Sequence, residues 1–400
     1  HIILVGQENR KEMTQIPERF QVHFFEELGN APIYIEESPV TPADPFCFMY
    51  TSGTTGNSKG VILPHNYGIY SGDMIKYLIE INENDVVYIC LPLFHGNAQI
   101  LAIIPAMIAG ASVVLDSRFS ASRFWEQVRK YNVTITNLVG SIVAILLKAK
   151  PTTHDRDQTL RVVFTAATPK QLFTEFEERF GVTIIEGFGS TECGMVLMNR
   201  KDERKIGSIG KVVPGYEVQI VDDDDQPLKP GEIGEIVTRP RYPFIMMQGY
   251  YNMPEETLKA FRNLWFHTGD LGYYDEDGFF YFVDRKKDVI RRRGENISSS
   301  EVERIVNLHP EVVESAVVGV PSELGEEEVK AVVVRRPESS LSYEELHRYC
   351  QEKMAKFMVP RFIEWADQLP KSATQRIQKY KLRQVGVTDR TWDCERGQPM

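Results

Sequence analysis

The chain has 400 residues, room for two to three domains, and its 42% hydrophobic and 26% charged content is that of an ordinary globular protein. A net charge of −10 argues against a general nucleic-acid surface, so a bound anion must be met by locally concentrated cations. The five cysteines (47, 90, 193, 350, 394) form no CxxC and no His/Cys pairing at zinc spacing, which points to free thiols in a reducing, cytoplasmic setting.

The chain opens on His1 with the apolar run Ile2 to Val5 already under way. A strand entered midway through a domain is expected there, with further sequence upstream; no secretory signal is read. An amphipathic helix is predicted over Phe20 to Leu28 and a short strand at Ile33 to Ile35. A β-prone run, Phe46 to Tyr50, then feeds Thr51-Ser52-Gly53-Thr54-Thr55-Gly56-Asn57-Ser58-Lys59-Gly60, and Val61 to Leu63 leaves it. Glycines let backbone N–H groups approach a ligand, hydroxyls add donors and the lysine adds a cation. The spacing is not Walker A, because Ser58 and Gly60 flank the lysine. Alone, this stretch reads equally as a polyphosphate cradle or a flexible surface loop.

A helix is predicted near 66–79 and a strand over Val86 to Leu91, ending at Pro92-Leu93-Phe94-His95-Gly96. Ile100 to Leu115 is apolar but interrupted by Pro105 and Gly110, and it falls short of the ~18 residues of a membrane span. It reads as a buried helix leading to a buried strand, Ala111 to Leu115. Helices are predicted at 124–131, 141–149 and 169–180, with strands at 133–136, 161–165 and 182–186. That alternation indicates parallel sheet covered by helices on both faces. Around 207 the rhythm becomes hairpin-like, with Val218 to Val221 and Glu235 to Val237 flanking a solvated Asp222 to Asp225 turn. Phe279 to Val283 is another strand. The cationic run Arg285 to Arg293 follows, with Arg291 and Arg292 read as a solvated face. Beyond Asn296 the order is helix 300–307, strands 315–320 and 329–334, helix 342–354 and strand 361–364. Gly386 to Met400 is expected to be loosely held.

Several short motifs accompany the opening loop. Gly187-Phe188-Gly189-Ser190-Thr191-Glu192 follows an apolar strand and ends in a hydroxyl and a carboxylate, which suits Mg²⁺ held against phosphate. Thr165-Ala166-Ala167-Thr168-Pro169 closes a strand with small residues that admit a flat ring. His267-Thr268-Gly269-Asp270 offers an acid for ribose hydroxyls. Asp284 to Asp288, Arg293 to Asn296 and the basic loop Pro370 to Arg376 complete the set. Each has a plainer reading: Asp270 as a turn or cap residue, Glu192 as a helix N-terminal acid, His95 as a core histidine.

In this order the motifs resemble the adenylate-forming superfamily of acyl-CoA synthetases, peptide-synthetase adenylation domains and beetle luciferases, from residue 46 to about 383. Phe124 to Val128 and Gly294 to Asn296 look most like its crotonobetaine/carnitine-CoA ligase-like members. The resemblance implies an α/β fold: a large multi-layer domain of β-sheets flanked by helices with a small β-barrel-like part, lacking its front portion here (1–286), plus a small mobile C-terminal α+β domain (287–400). It implies ATP, Mg²⁺ and coenzyme A as cofactors and a small-molecule carboxylic acid as substrate. No nucleic acid or integral membrane segment is implied, and a homo-oligomer is compatible with it. The acid and ATP would give an acyl-adenylate and pyrophosphate, and coenzyme A would then displace AMP. Thr51, Ser52, Gly53, Thr54, Thr55, Gly56 and Lys59 would hold the phosphates. Thr191 would meet the α-phosphate region and Glu192 the metal. Asp270 and Arg285 would take the ribose, and Ala166, Ala167 and Phe188 would frame adenine. His95 through Gln99, with Gly140, Ser141 and Gly187, would line the acyl pocket. Lys287 would be the hinge about which the small domain turns, bringing in the face near Gly294 for the thiol step.

One departure stands out. The last basic loop in this superfamily reads P-K-x-x-x-G-K, and here its final two positions are Gln375 and Arg376. Competing readings are adenylation that is impaired, leaving a nucleotide- or acyl-adenylate-binding protein, and transfer to a carrier protein. We expect Arg376 to bridge carboxylate and α-phosphate in lysine's place, since guanidinium keeps the charge and can fork onto two oxygens. Pyrophosphate release by Arg376→Lys is therefore expected to stay within about a hundredfold of the native rate; a larger gain, roughly 2.7 kcal/mol of transition-state stabilisation, would overturn this.

Overall fold

The computed structural model describes residues 2–4, 22–24, 39–51, 58–166, 168, 170–322, 326–371 and 377–399. Residues 1–41 and 42–400 form two units. In the first, β1 (Ile2–Leu4) pairs in parallel with β2 (Val22–Phe24). The helix predicted across Phe20 to Leu28 is therefore a strand at its centre. Phe20, Val22 and Phe24 recur every second residue, a strand period that outweighs the helical reading. The strand predicted at Ile33 to Ile35 lies outside the described residues.

In the second unit, β3 (Pro45–Thr51) and β4 (Lys59–Pro64) form an antiparallel hairpin closed by the pair Thr51 and Lys59. Helix α1 (His65–Ile79) follows, then β5 (Val86–Ile89). A continuous helical run comes next: α2 (Gly96–Ala98), a π-helical turn Gln99–Ile103 and α3 (Ile104–Ala109). The wider turn lets Pro105, which lacks an N–H, sit at the start of α3 rather than inside an unbroken helix. The alternation continues through β6 (Ser112–Leu115), α4 (Phe124–Lys130), β7 (Ile135–Asn137), α5 (Gly140–Lys148), β8 (Val162–Thr165) and α6 (Lys170–Phe180). It ends in β9 (Thr183–Ser190), β10 (Gly194–Met198) and β11 (Lys211–Val212).

These strands form one seven-stranded sheet in the order β11-β10-β9-β8-β7-β5-β6. It is parallel from β6 to β9 and antiparallel beyond. Because side chains alternate across a strand, Val87, Ile89, Val162, Phe164 and Ile185 enter one core, while Tyr88, Val163 and Ile184 enter the other. The buried strand predicted at Ala111 to Leu115 is corrected: β6 is the sheet edge, and Leu115 is 55% exposed. Its apolar run resembles a central strand because composition carries no information about strand order.

The rhythm change near 207 marks an antiparallel sheet. It comprises β12 (Tyr216–Val221), β13 (Gly234–Pro240), β15 (Phe261–Arg262), β16 (Trp265–Tyr274) and β17 (Phe280–Arg285). Between them, β14 (Gly249–Tyr250) pairs with β4, and α7 (Pro254–Ala260) follows it. The aspartate run is a turn in which the Asp222 carboxylate accepts from the N–H groups of Asp224 and Gln226.

The C-terminal part begins with the hairpin β18 (Ile290–Arg292) and β19 (Glu295–Ile297), then α8 (Ser299–Asn307), β20 (Val312–Pro321) and β21 (Glu327–Arg335). Helix α9 (Tyr343–Lys353), β22 (Phe362–Trp365), α10 (Lys379–Val385), β23 (Trp392–Asp393) and β24 (Gln398–Pro399) complete it. The α9 start is a capping box: the Ser342 hydroxyl accepts from the Glu345 N–H, and the Glu345 carboxylate accepts from the Ser342 N–H. A separate core of Val302, Val317, Val333, Leu346 and Ile363 lies between helices and sheet.

Two expectations fail in this part. The tail from Gly386 is held: Thr391 and Asp393 are fully buried, and Arg361 donates to both Asp393 oxygens at 3.1 and 3.0 Å. Arg292 is not a solvated cation either. It is buried, 2.6 Å from Glu328, and donates to the carbonyls of Phe357 and Val359. A buried arginine is tolerated where its fork is met by carbonyls and a carboxylate, and those partners lie far along the chain. Removing one member leaves the other charged and buried. Arg292→Leu is expected to cost about 3–5 kcal/mol in urea unfolding, and Arg292→Leu with Glu328→Leu to recover most of it.

Candidate active site

The hairpin β9–β10 brings Gly187 to Glu192 to one end of the sheet. Its backbones approach so closely that a Cβ on Gly189 would lie 2.0 Å from the Gly194 carbonyl oxygen. No side chain fits there, and Gly194 turns with φ +73°. Glu192 therefore sits in a tight turn between strands, so its reading as a helix N-terminal acid is set aside; its N–H donates to the Ser190 hydroxyl at 3.2 Å. Thr191 is half-buried in the same turn.

The Tyr250 hydroxyl donates to the Glu192 carboxylate at 3.0 Å. Lys59 Nζ lies 4.7 Å from the centroid of the same ring and 2.6 Å from Glu256. Neither Tyr250 nor Glu256 was singled out from the sequence. The pairing of Tyr250 with Val61, two residues beyond Lys59, is the structural cause, and nothing local in Gly249-Tyr250-Tyr251 announces it. Ser52, Gly53, Thr54, Thr55 and Gly56 lie outside the described residues, as do Ala167 and Arg376. The basic loop holding Arg376 is closed at its base by a bridge between Lys371 and Ile377.

A second group gathers at β16 and β17, where Asp270 pairs with Arg285. The Arg285 Nε lies 3.5 Å from the Asp270 carboxylate. Burial pushes Asp270 up to about 6, against the opposing pull of Arg285 and Lys287. Lys287 is reached by solvent yet crowded by protein and by Arg285, and its ammonium titrates low, at about 8. Next to Glu192, burial pushes the Cys193 thiol up to about 12, with added repulsion from Glu192 and Asp270.

The ends of β8 and β9 are tied by Glu186, a buried carboxylate that sequence reading passed over. It accepts from the Thr168 N–H at 2.9 Å, while the Thr165 and Thr168 hydroxyls bond each other at 2.8 Å. An acid inside the apolar run Val182 to Glu186 was the available signal. Ala166 is half-buried here, and Phe188 lies 6.3 Å from Phe282 between ring centroids. His95 is no core histidine. Solvent reaches it, yet surrounding protein holds its imidazole below the ordinary range, and its Nδ1 accepts from the Asn97 N–H. Asn137 donates to Asn97 and to the Leu101 carbonyl, bracing that wall. Gly294 is apart from the rest. It is exposed on the β18–β19 turn with φ +85°, its N–H donating to Glu326.

Among the described residues no three His, Cys, Asp or Glu side chains cluster as a metal site. The single carboxylate of Glu192, oriented by Tyr250, fits Mg²⁺, which keeps waters and takes phosphate oxygens for its remaining positions. No helix among the described residues is long and apolar enough to cross a membrane.

Three different sheets supply these groups, the hairpin lysine Lys59, the lone metal-competent acid Glu192 and the buried Asp270 beside Arg285, a set that suits a nucleotide-using α/β enzyme. The chain belongs to the AMP-binding enzyme family, matching it over residues 4–251 and its C-terminal domain over residues 301–376. It is similar to the crotonobetaine/carnitine–CoA ligase of Salmonella typhimurium, 37% identical over 389 residues covering 96% of this chain and 74% of the relative. Among solved structures it resembles ATP-bound MatB from Rhodopseudomonas palustris (TM-score 0.86, 26% identity, 96% of this chain and 78% of that one). It likewise resembles the Bacillus subtilis O-succinylbenzoate coenzyme A synthetase with ATP and magnesium (TM-score 0.82, 30% identity, 95% and 79%). The protein is an acyl-CoA synthetase: it activates a carboxylic acid with ATP and transfers the acyl group to coenzyme A.

Were Asp270 to take the ribose, as the sequence resemblance implies, its hydroxyls would donate best to the ionised acid. Asp270 carries its proton below about pH 6, so AMP affinity is expected to fall as pH drops from 7 to 5, with Asp270→Asn flattening that dependence in calorimetric titrations. The raised value also favours folding most below about pH 4 and loses that contribution as pH rises through 6. Without ligand, Asp270→Asn should accordingly melt higher than native at pH 7.

Proposed function

We propose that this synthetase activates a short, polar carboxylic acid, and that its residues divide the work as follows. Lys59 and the loop from Thr51 hold the β- and γ-phosphates and the departing pyrophosphate. Glu192 holds the metal, which when bound neutralises phosphate charge. Thr191 contacts the α-phosphate region, Asp270 and Arg285 hold the ribose, and the Ala166–Ala167 backbone with Phe188 frames adenine. His95 borders the acyl pocket. A carboxylate oxygen of the acid attacks the α-phosphorus and pyrophosphate leaves; Arg376 is assigned to bridge the two repelling anions. The coenzyme A thiolate then attacks the acyl carbonyl, and AMP departs with the electron pair.

The observation that carries the reading is the meeting of Lys59 and Glu192 on one ring, with the buried Asp270 beside Arg285. Fixed opposite charges at those points match a polyphosphate with its metal at one end and a ribose at the other.

The hinge role of Lys287, with a boundary between 286 and 287, has its own support. Contacts from β17 and α5 to the C-terminal part come through one side. Asp284 accepts from the hydroxyls of Ser298, Ser299 and Ser300, and Lys148 donates to the carbonyls of Val312 and Val313. Partners of the β18–β19 hairpin among the described residues, Glu326, Glu327, Glu328, Glu395 and the carbonyls of Phe357 and Val359, lie in the C-terminal part itself. Gly294 thus needs a turn of that part to reach the acyl-adenylate.

The choice of a short, polar acid rests on the wall formed by His95, Asn97 and Gln99, where amide groups are clamped by Asn137 and by the Leu93 carbonyl. A long alkyl chain against such a wall would strip water from the amide atoms that these bonds do not use. Coenzyme-A-dependent AMP release across a panel of acids tests this. Betaine-type and other short polar acids are expected to exceed medium-chain acids in kcat/KM by at least about tenfold. A preference for medium-chain acids would overturn the assignment.

A further inference from the structure

We propose that Tyr250 is a positioning residue for both charged ends of the polyphosphate site, a spacer that keeps Lys59 and Glu192 from neutralising each other. The inference rests on the reading that Lys59 and Glu192 serve the nucleotide's phosphates.

An ammonium and a carboxylate brought to one small site attract strongly and, once paired, mask each other's charge unless something holds them apart. Here both meet one ring through different parts of it. The hydroxyl donates to Glu192 Oε1 at 3.0 Å, and the π-system carries Lys59 Nζ 4.7 Å from its centroid. No Lys59–Glu192 ion pair occurs among the described residues; the lysine pairs with Glu256 at 2.6 Å.

The ring itself is fixed. Tyr250 is 8% exposed, its backbone is paired to Val61, and its N–H donates to the Thr257 hydroxyl at 2.9 Å.

Glu256 completes the device as a displaceable counter-charge. It is partly exposed at the start of α7, and its second oxygen lies 2.7 Å from Lys259. When phosphate oxygens draw Lys59 away, Glu256 keeps a cation. Losing Lys59 therefore costs it little, whereas Glu192 held in that place would lose its capacity for the metal.

Calorimetric titration of the full chain with ATP plus magnesium, ATP alone and AMP tests this by binding rather than turnover. Tyr250→Phe keeps the ring and removes one hydrogen bond to a charged group. About tenfold weaker magnesium–ATP binding is expected, with a higher magnesium requirement and unchanged AMP affinity. Glu256→Gln is expected to tighten ATP binding by about threefold, because the counter-charge no longer competes. Equal loss of AMP and ATP affinity in Tyr250→Phe, or no loss of magnesium–ATP affinity, would overturn the positioning role. Weaker ATP binding in Glu256→Gln would overturn the counter-charge. Glu192→Gln separates the two levels. If it binds magnesium–ATP as the native chain does, the assignment of Glu192 to the metal fails. If it binds weakly while Tyr250→Phe is normal, only the role of Tyr250 fails.

Discussion

The arrangement depends on how closely two backbones can approach. At the β9–β10 hairpin, a methyl group on Gly189 would strike the Gly194 carbonyl, and the turn that follows carries Thr191 and Glu192. Strand β9 is parallel to β8 on one side and antiparallel to β10 on the other, so it is where the sheet changes character. A larger residue at 189 would push β10 away and carry Glu192 out of reach of Tyr250.

Around that turn, charge is managed by burial and by partner choice. The protein is acidic overall, yet its nucleotide needs cations, and each of the two relevant cations is matched to a carboxylate: Lys59 to Glu256, Arg285 to Asp270. The first pair is partly exposed and readily exchanged. The second is more enclosed, and burial of Asp270 outweighs the nearby cations in setting its protonation. One pair is thus open to exchange, and in the other a buried acid is held beside its arginine.

The C-terminal part is coupled to this site by a short chain of contacts. Asp284, at the end of the strand that carries Arg285, receives hydrogen bonds from three consecutive serines at the start of α8. The same carboxylate accepts from the Arg285 N–H, so Arg285 and helix α8 share one anchor. A helix start capped by a carboxylate from another element is favourable, because the free N–H groups and the helix dipole both welcome negative charge.

Local sequence determined much of this protein. Apolar runs alternating with amphipathic segments mark the sheet and its helices, the S-x-x-E start of α9 is readable from spacing, and the glycine- and hydroxyl-rich stretches identify the nucleotide chemistry and the family. Such features are legible because propensity, capping and backbone permissiveness act over a few residues. Tertiary structure alone decided the rest. It made β6 an edge, buried Arg292 against Glu328, held the tail through Asp393, and brought Tyr250 and Glu256 to Lys59 and Glu192. Strand order, burial of a charge and the meeting of distant side chains depend on which surfaces pack together, a quantity summed over the whole chain that no short stretch carries.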